Sequence, residues 1–223
     1  MTCLAAVVIS GCSSLSLNQA RLFRAADIVS ELSQEHSQAL IVLADDRRPQ
    51  QARILAWERK GEWWANKFSS IPAVIGRSGF ARPGEKREGD GHTPAGAFHL
   101  KRAFGYASHM ETGLDYQQAT LHDFWVDDPA STQYNQWVKG TPQADSYENL
   151  KREDKLYQYS VVIEYNTNPV VPGNGSAIFL HVWRNRKTAT AGCVAASAKN
   201  VKKLLKWLDL SKKPIIILSD EQN

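Results

Sequence analysis

Cysteine is scarce in this chain: three in 223 residues, at Cys3, Cys12 and Cys193, two of them within the first twelve positions. A disulfide-stapled scaffold is thereby excluded, and most of the sequence carries a single thiol. Long apolar runs are scarce too. The opening run from Leu4 to Ile9 is far short of the roughly 20 apolar residues that a membrane-spanning helix needs. No charged residue precedes Arg21. There is no heptad run, internal repeat or nucleic-acid-binding module, which sets nucleic acid aside as a partner. His92, His99, His109 and His122 stand in mid-chain at spacings that match no metal-ligand motif, so neither a metal nor a cofactor is expected. The net charge of +4 is a mild excess that suits an anionic surface and an ordinary mixed surface equally.

What is present begins at the N-terminus. Leu4 to Ile9 is about the length of a signal-peptide apolar region. The order Ile9-Ser10-Gly11-Cys12 resembles a bacterial lipobox, where a lipoprotein signal is cut and the cysteine becomes the lipidated first residue. The chain then divides into a lipoprotein signal peptide (1–11), a lipidated Cys12 with a tether and an N-terminal helix (12–37), and one domain (38–223). Ser13 resembles the pattern of lipoproteins sent to a Gram-negative outer membrane, so the expected location is its periplasmic side, with that membrane as a partner through the lipid. The alternative is a plain apolar tail on a cytosolic protein. In an oxidising envelope Cys193 has no partner to pair with, and it is either a nucleophile or a buried small hydrophobe.

The body of the chain reads as mostly β, in an α+β arrangement with one helix near each end. Leu22, Phe23, Ala26, Val29 and Leu32 recur at helical spacing. Then the period changes. QALIVLA, ARILAWE and EWWANKF are short strand-like runs, with more at Ile71 to Ile75, Gly96 to Ala103, Tyr157 to Tyr165, Ala177 to Trp183 and Pro214 to Leu218. Ser197 caps a second helix whose Val201, Leu204, Leu205 and Leu208 lie opposite Lys199, Lys202, Lys203 and Lys206. Two stretches read as irregular loops, Gly79 to Gly96 and Asp127 to Ser146; aromatics in the second point to a packed binding surface. In the first, Asp90 is expected to form a turn, and His92 to line a cleft.

The strand AIFLHVW alternates, so Ile178, Leu180 and Val182 share one face and Phe179, His181 and Trp183 the other. A polar loop then returns to Cys193, twelve positions after His181. A thiol attacks carbonyls as thiolate, and a neighbouring imidazole can take its proton. Gly192 lets backbone N–H groups approach the oxygen that becomes charged in a tetrahedral intermediate. Histidine, small loop, Gly-Cys is a pattern suited to acyl transfer.

FLHVW followed by TAGCVAAS resembles the signature of the L,D-transpeptidase (YkuD-type) catalytic domain family, and KREGDGHTPAGAF resembles its Gly-rich turn and Thr-Pro-x-Gly-x-Phe strand entry. The resemblance covers roughly Leu40 to Leu218. It implies packed mixed β-sheets with the site beneath a capping loop, and acyl transfer on peptidoglycan stem peptides in cell-wall remodelling. Carried over by position, Cys193 is the nucleophile, His181 the general base, Gly192 and the Cys193 backbone the oxyanion donors, and Thr190 the loop-ordering hydroxyl. Trp183, Arg184 and His92 are expected to touch substrate. The sequence departs from the family pattern at Ala191 and Ala195, where many members carry His and Arg; Arg184 and Arg186 are candidates for the missing positive charge. An L,D-carboxypeptidase, a peptidoglycan amidohydrolase and a non-catalytic wall-binding lipoprotein remain as alternatives.

Overall fold

An apolar run without alternation needs cover on both faces, and Gln38–Asp45 (β1) has it. Leu40 and Val42 point into the main core, while Ala39, Ile41 and Leu43 pack with Ala25 and Val29 of the first helix, Leu17–Ser30 (α1). That helix starts earlier than the Leu22 periodicity predicts, because Ser16 and Gln19 form a reciprocal capping box. The computed structural model describes residues 16–45 and 48–219, so Cys12 and the expected signal segment lie outside the described residues.

The remaining elements follow in order: Arg48–Lys60 (β2), Trp63–Asn66 (β3), Ile71–Val74 (β4), Gly96–Gly105 (β5), Asp115–Gln118 (β6), Asp123–Val126 (β7), Trp137–Lys139 (β8), Tyr147–Asn149 (β9), Tyr159–Ile163 (β10), Phe179–Val182 (β11), Val194–Ala196 (β12), Ala198–Trp207 (α2), a single 3-10 turn and Ile215–Ser219 (β13). The main sheet runs β1-β13-β5-β10-β11-β12-β4-β2-β3, with β6 beside β5. Because β1 also pairs with β2, the sheet closes on itself like a barrel. Helix α2 is capped by Ser197, as the sequence predicts, and buries Val201, Leu204 and Leu205 in the main core. Each such fully buried leucine contributes roughly 2–3 kcal/mol.

The stretch Asp127 to Ser146, predicted to be irregular, contains β8, and a second sheet of order β8-β7-β9 forms the cap. Its strands are three or four residues long and are set among polar, Gly and Pro residues, so no apolar alternation extends beyond them to mark them in the sequence. Asn135 ties this cap to the barrel. It is buried and sits in the left-handed region at φ 56°. Its Oδ1 accepts from Trp125 Nε1 (2.9 Å) and Ala177 N (3.1 Å), and its Nδ2 donates to the carbonyls of Tyr165 and Asn166. Tyr134 next to it is fully buried and donates to Glu88 at 2.5 Å.

Asn135→Ala leaves two buried donors and two carbonyls unpaired. It is expected to cost about 3 kcal/mol, read as a fall of roughly 6–12 °C in Tm by thermal unfolding.

Candidate active site

Strand β11 alternates as its sequence predicts. Leu180 and Val182 belong to the barrel core, and Phe179 faces the cap, edge-on to Phe104, Trp125 and Tyr157 at 5.0–5.5 Å. His181 shares the Phe179 face and meets the Tyr157 ring edge-on at 5.1 Å. Trp183 continues that side and is held by its N–H to the Ala196 carbonyl, 2.8 Å. Strand β12 pairs with β11 in parallel, with Leu180 opposite Val194 and His181 opposite Ala195. Since side chains two apart share a face, Cys193 falls on the histidine side.

The turn before the cysteine is held by Thr190. Its hydroxyl donates to the Cys193 carbonyl at 2.6 Å and accepts the Gly192 N–H at 3.2 Å. The backbone of Thr190 is bonded on both sides, to the Ile75 carbonyl and from Arg77 N. Gly192 has no room for a side chain, because a β-carbon there would lie 2.9 Å from the His92 carbonyl. Gly76 is tighter still, 2.3 Å from the Gly91 carbonyl, and its N–H donates to the buried Thr93 hydroxyl. The Gly-rich loop thus backs the Cys193 turn with its main chain. Asp90 forms the expected turn, accepting from the N–H groups of Arg87 and His92 and from Lys86. The His92 ring does not line the cavity; its backbone carbonyl is what reaches the site.

Cys193 and His181 are both buried. The thiol donates to the Ala177 carbonyl (3.2 Å), and Sγ receives the Phe179 N–H (3.3 Å). Burial, together with the negative charge of Glu148, pushes the thiol up to about 12. His181 moves the other way: burial pulls it down to about 4, against the opposing effect of the Val182 carbonyl 2.9 Å from Nδ1. At rest the cavity therefore holds a neutral thiol and a neutral imidazole, both in its lining. The carbonyl at Nδ1 fixes the tautomer, which leaves Nε2 as the basic nitrogen. Of the two expected oxyanion donors, the Gly192 N–H is engaged by Thr190, and the Cys193 N–H has no acceptor among the described residues.

One cavity of about 210 Å³ is lined by Cys193, His181, Trp183, Arg184, Thr188 to Ala191 and Ala195, and also by Glu148, Arg152, Leu156 and Tyr157. Glu148 belongs to β9 and the other three to the segment that follows it, and sequence reasoning missed all four as site residues. Charged residues without periodicity mark that segment in the sequence, and nothing there points to a cleft. Arg152 makes a paired contact with Asp154 at 2.9 and 2.8 Å, and Arg184 reaches the same carboxylate at 3.3 Å. Arg186 lies elsewhere, in a small depression with Arg48 and Arg53.

A family model described as the L,D-transpeptidase catalytic domain, YkuD, matches residues 41–217. No curated protein sequence matches the chain. Among solved structures, the chain is similar to the helical cell shape determining protein Pgp2 from Campylobacter jejuni, at 16% identity over 84% of this chain and 49% of that one, TM-score 0.42. Bd1075 of Bdellovibrio bacteriovorus is similar at 16% identity over 86% and 51%, TM-score 0.44. L,D-transpeptidase 1 of Mycobacterium tuberculosis is similar at 15% identity over 81% and 61%, TM-score 0.33. The chain spans about half the length of the first two proteins. The family model covers most of the chain and takes in the histidine strand, the Thr190 turn and the cysteine together, and the chain belongs to the YkuD family of L,D-transpeptidase catalytic domains.

Proposed function

We propose that this protein is a peptidoglycan L,D-transpeptidase that forms a thioester between Cys193 and a stem peptide and passes the acyl group to an amine in cell-wall remodelling. The observation that carries this is the single cavity shared by Cys193 and His181 beside an open Cys193 N–H. His181 Nε2 takes the thiol proton as Sγ bonds to the carbonyl carbon at the L-centre of diaminopimelate. The carbonyl oxygen, now negative, receives the Cys193 N–H. Collapse breaks the bond to D-alanine, whose nitrogen leaves with the imidazolium proton. The amine acceptor then attacks the thioester and restores the thiol.

Burial favours this order of events. A thiol held near 12 and an imidazole near 4 do not exchange a proton at rest, so proton transfer accompanies attack on a seated carbonyl. Arg184, exposed at the cavity rim with only one contact to Asp154, supplies positive charge for a substrate carboxylate. The lipobox-like stretch supports a lipid on Cys12 and a place on the periplasmic side of a Gram-negative outer membrane.

Mass spectrometry of residues 13–223 with tetrapeptide-bearing muropeptides is expected to show an acyl adduct on Cys193 and cross-linked dimers. Shortened stems without dimers would instead make the protein a carboxypeptidase. Cys193→Ala is expected to lose at least about 10³-fold in turnover and His181→Ala roughly 10²–10⁴-fold. An active Cys193→Ala protein would sink the proposal.

Without substrate, Cys193 should alkylate roughly 10³-fold more slowly than a free cysteine at pH 7.5, rising about tenfold per pH unit with no plateau below pH 10. Rapid alkylation that levels off near neutral pH would mean a resting ion pair and a different mechanism. In cells, incorporation of a labelled fatty acid should vanish in Cys12→Ala.

A further inference from the structure

Glu148 takes no part in the chemistry above, yet it lines the cavity that holds Cys193 and His181. It also lines a second, open cavity of about 710 Å³, together with Leu121, Tyr147, Lys151 and Asp154. Glu148 and Arg152 are common to both cavities, so they form the wall between them.

The carboxylate is anchored by one oxygen only. Its Oε2 accepts the Tyr157 hydroxyl and lies 3.8 Å from Arg152 Nη1. Its Oε1 has no partner among the described residues. Arg152 is already committed to Asp154 through two hydrogen bonds, so it neutralises Glu148 only in part. Tyr157 cannot follow a moving carboxylate, since it is buried against Phe104, Phe179 and His181.

A negative charge is a poor neighbour for a nucleophilic thiol. After burial, Glu148 is the largest influence raising Cys193, and it is opposed by the Phe179 N–H, Arg152 and Lys86. His181, neutral at rest, offers no positive charge against it. The arrangement is intelligible if a cation completes the site during turnover. The acyl donor reacts with Cys193 through a carbonyl, whereas the second substrate reacts through an amine that arrives protonated, and that amine has to come closest to the thioester.

Given the acyltransferase reading, we infer that Glu148 binds the primary ammonium of the acyl acceptor, delivered through the outer cavity, and takes one of its protons so that the free amine attacks the Cys193 thioester. The nitrogen forms the new C–N bond, the C–S bond breaks with its electron pair on Sγ, and the second nitrogen proton returns to Sγ through His181. Glu148 gives its proton to water as product leaves. Burial raises the Glu148 carboxyl above its ordinary range, which brings it closer to the ammonium it must deprotonate. Leu121, 71% exposed, and Tyr147, 42% exposed, give the outer cavity an apolar and aromatic rim for the body of the acceptor. Water carries no positive charge, so this site discriminates amine from water and favours transfer over hydrolysis.

Glu148→Gln tests this while keeping an oxygen for the Tyr157 hydroxyl. With Cys193 loaded by a stem peptide, the acceptor KM is expected to rise, and the partition to shift from transfer to hydrolysis, each by roughly tenfold. Glu148→Asp should restore part of the preference, and alkylation of Cys193 in Glu148→Gln should become faster. Transfer in Glu148→Gln with the wild-type partition would overturn the inference. Calorimetry of Cys193→Ala with a diaminopimelate-bearing tripeptide and its N-acetylated form separates this inference from the parent reading. Binding that needs the free amine and is lost in Cys193→Ala/Glu148→Gln supports the ammonium site even if no acyl adduct ever forms; equal binding of both peptides overturns it.

Discussion

The parallel pairing of β11 with β12 is the constraint on which the site depends. With His181 opposite Ala195, Cys193 lies on the side of Phe179 and His181. A slip of one residue would turn the thiol into the barrel core and present Val194 instead. The strand of three residues that carries this register is too short to hold it alone. Thr190 supplies the rest, through its hydroxyl on the Cys193 carbonyl and its backbone bonds to Ile75 and Arg77, just past the end of β4. Barrel closure matters to the chemistry because it places β4 beside β12 and so gives Thr190 something fixed to hold.

The same packing that positions the pair silences it. A buried thiol is protonated and a buried imidazole is unprotonated, so the two groups sit in one cavity without the charge separation of an ion pair. Reactivity is then conditional on what enters the cavity. A protonated thiol is slow toward oxidants and alkylating agents alike, which suits a chain whose other cysteines lie in its first twelve residues. The cap contributes Glu148 to the charge balance, and the segment between β9 and β10 adds Tyr157 to the aromatic wall.

Much of this was legible in the sequence wherever the periodicity is long enough to read. The β-rich body, the capped helix α2 and the two faces of β11 all follow from alternation, helical spacing and Ser197. The twelve positions from His181 to Cys193 were enough to bring them together as candidates. The short segments DYQQ, WVK, YEN and VAA hold no alternating run of β-branched or aromatic residues, so β6, β8, β9 and β12 were not visible. Glu148, Arg152 and Tyr157 reach the cavity through tertiary packing of a charged segment, and local pattern has no access to that. His92 shows the opposite case: its place in the Gly-rich turn points to a ring in the cleft, while its carbonyl is what reaches the Gly192 turn.

The contacts of Gly76 and Gly192 with the Gly-rich loop run from backbone to carbonyl oxygen. Main chain pressed on main chain is indifferent to the identity of the side chains that project from the loop. Exposed residues of that loop, such as Arg82 and Glu85, can therefore change sign or size while Cys193 stays where it is. Surface charge on the loop and the placement of Cys193 are thus separately adjustable, and one barrel can carry different surfaces without moving its buried thiol.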